Sequence, residues 1–163
     1  MPPVHWPNAN RSVKWLATAF YLTMAIGYGI ALANAQIKMG NTTEGLVRHI
    51  RGSPDGFAYP KEPAELIEVA HAHGFSVPIM YLVLGGLFLC TTIREPWKRW
   101  WAVLPFLGIV IDHVAPWLIR YQAPQWAWLM LAGHALSGLA FVVLIAVPLW
   151  EMWGPARALQ GGS

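Results

Sequence analysis

Four long stretches of the chain are apolar almost without interruption, and short polar or charged clusters separate them. They cover about residues 13–37, 66–92, 100–119 and 126–150. A helix that crosses the hydrocarbon of a bilayer needs about 20 mostly apolar residues, so each stretch is long enough for one span. Because spanning helices must satisfy their own backbone hydrogen bonds, the pattern predicts an all-α, integral membrane four-helix bundle. We expect residues 1–163 to form this single transmembrane domain.

The one sizeable polar segment, about residues 38–65, is predicted to be an outer loop between the first two spans. Its GSPDGFAYPKEP stretch is rich in turn formers and should be irregular. Pro63, followed by Glu65 and Glu68, is typical of a helix start. A soluble portion this small favours a non-catalytic redox or accessory subunit over an enzyme that carries elaborate chemistry alone.

The composition of the chain is typical of a membrane protein and indicates which kinds of partner it can bind. Hydrophobic residues make up 56% of the chain and charged residues only 12%, whereas a soluble domain carries about 25% charged residues. The 10 tryptophans fall mostly near the predicted span ends, as in an aromatic belt. The net charge of +3 comes from dispersed basic residues, so a nucleic-acid partner is excluded and lipid is expected instead.

The distribution of lysine and arginine predicts which side of the membrane each loop faces. One side would carry Arg11, Lys14, Arg94, Lys98, Arg99 and Arg157. The other would carry Lys38, Arg48, Arg51, Lys61 and Arg120. We expect cytoplasmic termini and an outer loop that faces away from the cytoplasm.

Four histidines lie within or at the edge of the predicted spans, in the half nearer the outer loop. At 1.5 Å per residue, His71, His73, His113 and His134 lie roughly 8 to 12 Å from the outer ends of their spans. Three helices therefore bring histidine to one layer. Ionisable residues inside a membrane are costly, so the default hypothesis for this layer is function.

Imidazoles from two facing helices can ligate a haem iron from both sides, and the cores of helix bundles hold such cofactors. His73 and His134 are the favoured axial pair, with His71 and His113 in reserve. His71 and His73 are about 200° apart around their helix and cannot both face one point. Gly133 and Gly138 would leave room for a porphyrin face beside His134.

Other residues near this layer suit the same cofactor. Asp112 could orient a histidine ring or carry protons at a quinone site. Arg51 and Arg120 could hold haem propionates through the planar guanidinium fork, as could Arg48. The chain has no C-x-x-C-H motif, so the haem would be b-type, held by coordination and packing. Three imidazoles could instead hold a copper or zinc ion.

Three stretches resemble a known family. They are GLVRHIRGSP followed by PKEPAELIEVAHAHGF, then LPFLGIVIDHVAPWLIRYQAP, and LWEMW. About residues 40–153 are similar to a family of uncharacterised bacterial four-span membrane proteins, often mislabelled as an elongation factor. That family has a His-x-His motif at the start of span two, here His71 and His73. Gly74 and His49 stand where its members have leucine and an aromatic residue.

The resemblance implies a location in the bacterial inner membrane and an association with cytochrome-type electron transfer. The leading hypothesis is a haem b subunit that passes electrons between the quinone pool and a periplasmic or membrane redox partner. A cofactor-free accessory subunit of a larger respiratory or photosynthetic complex is the first alternative. A membrane protein that handles copper or haem is the second.

Overall fold

A computed structural model of the chain describes residues 5–40 and 42–154. In these ranges the helices are α1 (Arg11–Met39), α2 (Thr43–Arg51), α3 (Pro63–Phe88), α4 (Glu95–Tyr121) and α5 (Ala127–Trp153). Two short 3₁₀ turns, Trp6–Asn8 and Pro124–Trp126, precede α1 and α5. Arg157, which the charge distribution included, lies outside the described residues.

Four of the helices, α1, α3, α4 and α5, are long and apolar enough to cross a membrane. They confirm the predicted all-α bundle, and the chain is a multi-pass membrane protein surrounded by lipid. Successive spans run in opposite directions, which gives the bundle two ends. The terminal end carries residues 5–14, 87–101 and 149–154, and the loop end carries residues 36–40, 42–68 and 118–130.

The helix bounds depart from the predicted spans where side chains, rather than hydropathy, set the ends. At the start of α3, Glu62 and Glu65 form a capping box, in which the Glu62 N–H donates to Glu65 Oε2 at 2.9 Å. At the other end α3 stops at Phe88, short of the predicted limit at residue 92. Hydropathy does not register this stop, because residues 89–92 (LCTT) carry no charge.

Among the α-helices of the described residues, α2 is the one that the sequence patterns did not predict. Thr42 caps it by accepting a hydrogen bond from the Gly45 N–H at 3.0 Å. Leu46 and Ile50, four residues apart, are both buried and form one apolar face. The segment that follows, residues 52–62, has no regular helix, as its turn formers predict.

The tightest packing lies between α4 and α5, where small residues let the two backbones approach. A side chain on Gly108 would collide with Ser137 Oγ. Between α3 and α4, Gly85 packs against Ala102, whose Cβ would lie 3.7 Å from an added Cβ. The core around these contacts includes Tyr21, Tyr81, Leu84, Phe88, Ile109, Phe141 and Leu144.

Helix α1 lies at the edge of the bundle. Of its 29 residues only Ala17 and Tyr21 are buried. It rests on α5 through Tyr28, whose ring stacks on Phe141 with centroids 4.1 Å apart. The half of α1 nearer the loop end is largely exposed, and Gly27 and Gly29 have no atom within 4 Å of an added Cβ.

The terminal end is closed by hydrogen bonds from distant parts of the chain. The Trp6 N–H donates to Cys90 O and its indole Nε1 donates to Leu87 O, each at 3.0 Å. Lys98 Nζ donates to Leu89 O at 3.2 Å. Leu89 O and Cys90 O, which lie just past the end of α3, thereby gain donors, and Leu87 O accepts from Trp6 in addition to the Cys90 N–H at 3.2 Å.

The loop end is joined more lightly, through α2. Leu46 and Ile50 pack with Ile119 and Ala127 in a small second cluster. Arg120 Nε donates to Lys61 O at 2.9 Å, and the Lys61 N–H donates to Ile50 O at the same distance. The segment before α3 is thereby fixed to both α2 and α4.

Candidate functional site

Residues of three spans meet in one layer below the loop end, which we call the histidine layer: Ala70–Gly74, Asp112, His113, Gly133 and His134. His113 Nε2 of α4 lies 3.1 Å from Ala70 O of α3. His134 Nε2 of α5 lies 3.5 Å from Asp112 Oδ1. The common depth that follows from the helical rise is therefore present, and the remaining question is which way each ring faces.

His113 ties α4 to α3 and has both ring nitrogens engaged. Nδ1 lies 2.7 Å from Ile109 O, one turn earlier, and Nε2 lies 3.1 Å from Ala70 O. Both nitrogens lie against carbonyl oxygens, so neither faces open space, whichever of them carries the proton. Gly74 lines this contact, since a Cβ there would lie 3.4 Å from His113 Nε2. His113 is therefore placed to hold two helices together.

Asp112 and His134 form the polar contact between α4 and α5. Asp112 Oδ1 is buried and has no hydrogen-bond partner among the described residues, with His134 Nε2 at 3.5 Å. Pro116 has no N–H, so the backbone carbonyl of Asp112 also lacks its usual helical donor. A carboxyl oxygen without a hydrogen-bond partner and an imidazole thus lie together within the spans, beside a carbonyl that lacks its helical donor.

Gly133 and Gly138 do not leave the open slot that we expected for a porphyrin. A Cβ on Gly133 would lie 2.7 Å from both Asp112 Oδ1 and Ile111 Cγ2. A Cβ on Gly138 would lie 2.9 Å from the Tyr28 hydroxyl. Both glycines therefore serve close helix contacts, and the expectation of free space beside His134 is wrong.

His71 and His73 lie at the layer but are exposed on the flanks of α3. At 100° per residue, they lie about 80° to either side of the line between Ala70 and Gly74 that faces α4. The His71 ring meets Phe75 edge-on, with centroids 5.5 Å apart. His73 Nδ1 lies 2.9 Å from Val69 O. The structure thus brings His113 and His134 to the bundle's internal contacts and leaves His71 and His73 facing outward.

The two arginines predicted to hold propionates lie above the layer. Arg120 donates to Lys61 O, and its guanidinium lies 5.3 Å from the centroid of the Tyr121 ring. Arg51 is the last residue of α2 and is half-buried. Arg120 therefore has a structural role at the loop end, and the propionate role of both residues stays a prediction.

Two cavities open at the loop end. One of about 570 Å³ lies between α2 and the start of α5, with Glu44, Arg48, Asp55, Gln125 and Trp128 among its lining residues. The other, of about 520 Å³, we call the basic cavity; it is lined by Ile37, Lys38, Met39, Gly45, Arg48, His49, Ala58, Tyr59 and Lys61. Sequence reasoning missed the basic cavity, although the density of basic residues between 38 and 61 was a visible signal.

The surroundings of the basic cavity act on the charge state of His49. Burial is the largest effect that lowers the pKa of His49, followed by the positive charges of Lys61 and Lys38, while Glu65 opposes them. The ring is therefore held neutral to lower pH than an ordinary histidine.

No set of three or more His, Cys, Asp or Glu side chains converges as ligands of a metal ion would, within residues 5–40 and 42–154. The three-imidazole copper or zinc site considered above thus has no support from the described part of the chain. Ligation by one exposed histidine, completed by a group from outside the bundle, does not need such convergence.

Comparison with known proteins gives one match. A family model described as a transmembrane helical domain matches residues 40–159, which include α2, α3, α4 and α5. No curated protein and no solved structure matches the chain. The match supports the resemblance to an uncharacterised transmembrane family, and α1 lies outside the matched residues.

Proposed function

The chain belongs to the Aq_1264_TM family of transmembrane helical domains, and from that premise we propose that it is a redox subunit of a larger membrane complex. His73 would ligate a haem b at the outward flank of α3, and the subunit would pass electrons between the quinone pool and a membrane or periplasmic partner. The resemblance to a cytochrome-associated family and the basic residues near the termini favour a bacterial inner membrane with cytoplasmic termini.

The geometry of the His73 ring carries this proposal. Nδ1 lies 2.9 Å from Val69 O, and a carbonyl oxygen can only accept, so the proton belongs on Nδ1 and the lone pair on Nε2. Histidine ligands of metals usually donate their second ring N–H to a carbonyl or carboxylate in this way, which fixes the tautomer and the ring orientation. The exposed ring therefore presents a lone pair away from the bundle.

His134 fits the second axial position less well than the sequence suggested. Its Nε2 is directed at Asp112 Oδ1, 3.5 Å away, and the adjacent glycines are already covered by α4 and α1 side chains. We propose that the second ligand comes from a partner subunit that covers the His73 flank. Haem bound there would supply one-electron carriage, while Asp112 and His134 would take up or release the accompanying proton near a quinone.

The exposure of His73 also supports a partner on its flank of α3. Glu68, three residues before His71, is the last acidic residue of α3. His73 then lies about 7.5 Å deeper than Glu68 along the helix. Lipid tails offer an imidazole no hydrogen-bond partner, so leaving His73 in hydrocarbon is unfavourable. Protein or a cofactor that covers this flank would remove that unfavourable free energy.

The test is a reduced-minus-oxidised visible spectrum of the protein purified gently from its own membrane. We expect a b-type α band in the wild type and its loss in His73→Ala. His71→Ala is the matched control, because His71 is also exposed on α3 but on the opposite flank, and it should keep the band. An unchanged haem content in His73→Ala would show that this ligand assignment is wrong.

His134→Ala separates the two sources of the second ligand. If the partner supplies it, His134→Ala keeps the band in the intact complex, and the band is altered when the subunit is isolated. If His134→Ala alone removes the band, the axial pair lies within the chain. A complete absence of haem from wild type would favour the cofactor-free accessory subunit, with the exposed histidines as contacts to the partner.

A further inference from the structure

The basic cavity is built where two membrane spans end, and it is separate from the histidine layer. Lys38 and Met39 close α1, Lys61 lies just before α3, and Arg48 and His49 come from α2, which covers the space between them. With 29 residues, α1 is about 43 Å long. This exceeds the roughly 30 Å of hydrocarbon in a bilayer, so the last residues of α1 lie at headgroup depth.

The lining of the basic cavity has cations and no acid. Lys38, Arg48 and Lys61 carry permanent positive charge, and His49 adds two ring nitrogens. Two acids act on these residues from outside the lining. Glu65 pairs with Lys61, with Oε1 2.6 Å from Nζ, and the carboxyl of Asp55 is influenced by Arg48. Lys38 and Arg48 are both exposed and able to turn toward a ligand.

Two of the lining side chains are apolar or aromatic and strongly exposed. Ile37 is 84% exposed and Tyr59 is 83% exposed. Ile37 continues the apolar outer face of α1, which includes Ile26 and Ile30. A ligand with an anionic head and an apolar tail would therefore meet cations in the cavity and an apolar surface directly along α1.

We propose that the basic cavity binds a phosphate group at the membrane surface, that of an anionic phospholipid headgroup. Its volume of about 520 Å³ admits such a headgroup. The three cations would neutralise the phosphate charge, the acyl chains would run along the exposed face of α1, and Tyr59 would lie beside the glycerol region. A free phosphate ion shares the same chemistry, so the test must separate the two sources.

The neutral state of His49 agrees with this assignment. Positive charges at Lys61 and Lys38 contribute to lowering the pKa of His49, after the larger effect of burial. The same positive potential would attract an anion, and a bound phosphate would reverse the effect on the ring.

Native mass spectrometry of the full-length protein in detergent micelles tests the proposal. Phosphatidylglycerol and phosphatidylcholine are titrated separately, and we expect clear preference for phosphatidylglycerol. The double variant Lys38→Gln/Arg48→Gln should bind phosphatidylglycerol roughly 30-fold more weakly, since each cation near an anionic lipid surface contributes about a fivefold factor. Neither side chain is buried, so the fold should persist, which circular dichroism checks.

The matched control is Arg94→Gln/Arg99→Gln, which removes the same charge from exposed residues of the terminal end. It should leave the preference for phosphatidylglycerol intact. Competition with inorganic phosphate identifies the source: displacement at millimolar concentration assigns the site to free phosphate, and resistance assigns it to the lipid headgroup. Equal losses in the two double variants, or equal binding of both lipids, would overturn the proposal. Haem content measured on the same samples is independent of either outcome.

Discussion

The two ends of the bundle differ in what their polar groups do. At the terminal end, Glu151 accepts from the Thr92 N–H at 2.8 Å and from its hydroxyl at the same distance, and Trp153 Nε1 donates to Thr18 Oγ1 at 2.9 Å. Together with Trp6, these contacts join four segments of the chain. At the loop end, cations line a cavity and two imidazoles of α3 face outward.

The comparison separates polar groups that stabilise the fold from polar groups that are available to a ligand or a partner subunit. The contacts of Trp6, Thr92, Glu151 and Trp153 at the terminal end join parts of the chain to one another and stabilise the fold, although the buried Thr91 hydroxyl and His5 Nδ1 have no hydrogen-bond partner among the described residues. At the loop end and in the histidine layer, the exposed Lys38, Arg48, His71 and His73 face surroundings that the described chain does not provide. A ligand or a partner subunit is the natural complement of such groups.

The strongest test of the comparison replaces one tryptophan at each end. Trp6 is 3% exposed and Trp128 is 69% exposed. We expect Trp6→Ala to lower the free energy of unfolding by about 3–5 kcal/mol, because it empties a packed site and removes the hydrogen bond to Leu87 O. Trp128→Ala should have little effect. Unfolding in mixed micelles, followed by circular dichroism, measures both, and equal losses would contradict the distinction between the ends.

A smaller effect is expected where the closed core meets the histidine layer. In Gly133→Ala the new Cβ would lie 2.7 Å from Asp112 Oδ1 and Ile111 Cγ2, so α4 and α5 must separate at a cost of about 1–3 kcal/mol. Gly29→Ala is the control, since nothing lies within 4 Å of its Cβ, and it should be neutral or slightly stabilising. The same unfolding measurement compares the two variants with the wild type. If Gly133→Ala were as stable as the wild type, α4 and α5 would be less closely packed in this layer than the contacts indicate.

The smallest expected effect is a pH dependence confined to the loop end. The pKa of His49 is lowered by burial and by Lys61 and Lys38 from an ordinary value of 6.5. As the pH falls below about 6.5, the unfolded chain binds a proton that the folded chain resists, so stability is lost in that direction and is constant above it. Thermal unfolding between pH 7.5 and 5.5 should show this slope, and His49→Gln should reduce it. An identical slope in the variant would exclude His49 as the cause.

Sequence reasoning predicted the spans and the depth of the histidines because both depend on simple lengths. About 20 apolar residues define a span, and the rise per residue places His113 and His134 level with one another. The direction in which each ring faces depends on how every helix is rotated about its axis. For α3 that rotation is set by the contact of Ala70 and Gly74 with His113, which no pattern along α3 alone contains.

Contacts between distant residues account for the other differences. Just past the end of α3 at Phe88, Cys90 O and Leu89 O accept from Trp6 and Lys98, and hydropathy averaged along the chain does not contain contacts between residues so far apart in sequence. The signals for α2 were present, with the Thr42 cap and the spacing of Leu46 and Ile50, but the helix is short and its surroundings are turn-rich. The room expected beside Gly133 was lost to Asp112 and Ile111, which come from another helix.

The docking of Trp6 against the end of α3 also fixes an order of events during biosynthesis. The two partners of the bond between Trp6 Nε1 and Leu87 O are 81 positions apart in the chain. At the usual pace of translation, roughly 4 to 16 s separate the synthesis of the two residues. During that interval Leu87 has not yet been synthesised, so the Trp6 indole lacks this acceptor. The segment around Trp6 can therefore dock only after the end of α3 has been made. This contact stabilises a bundle that is already forming and does not initiate its assembly.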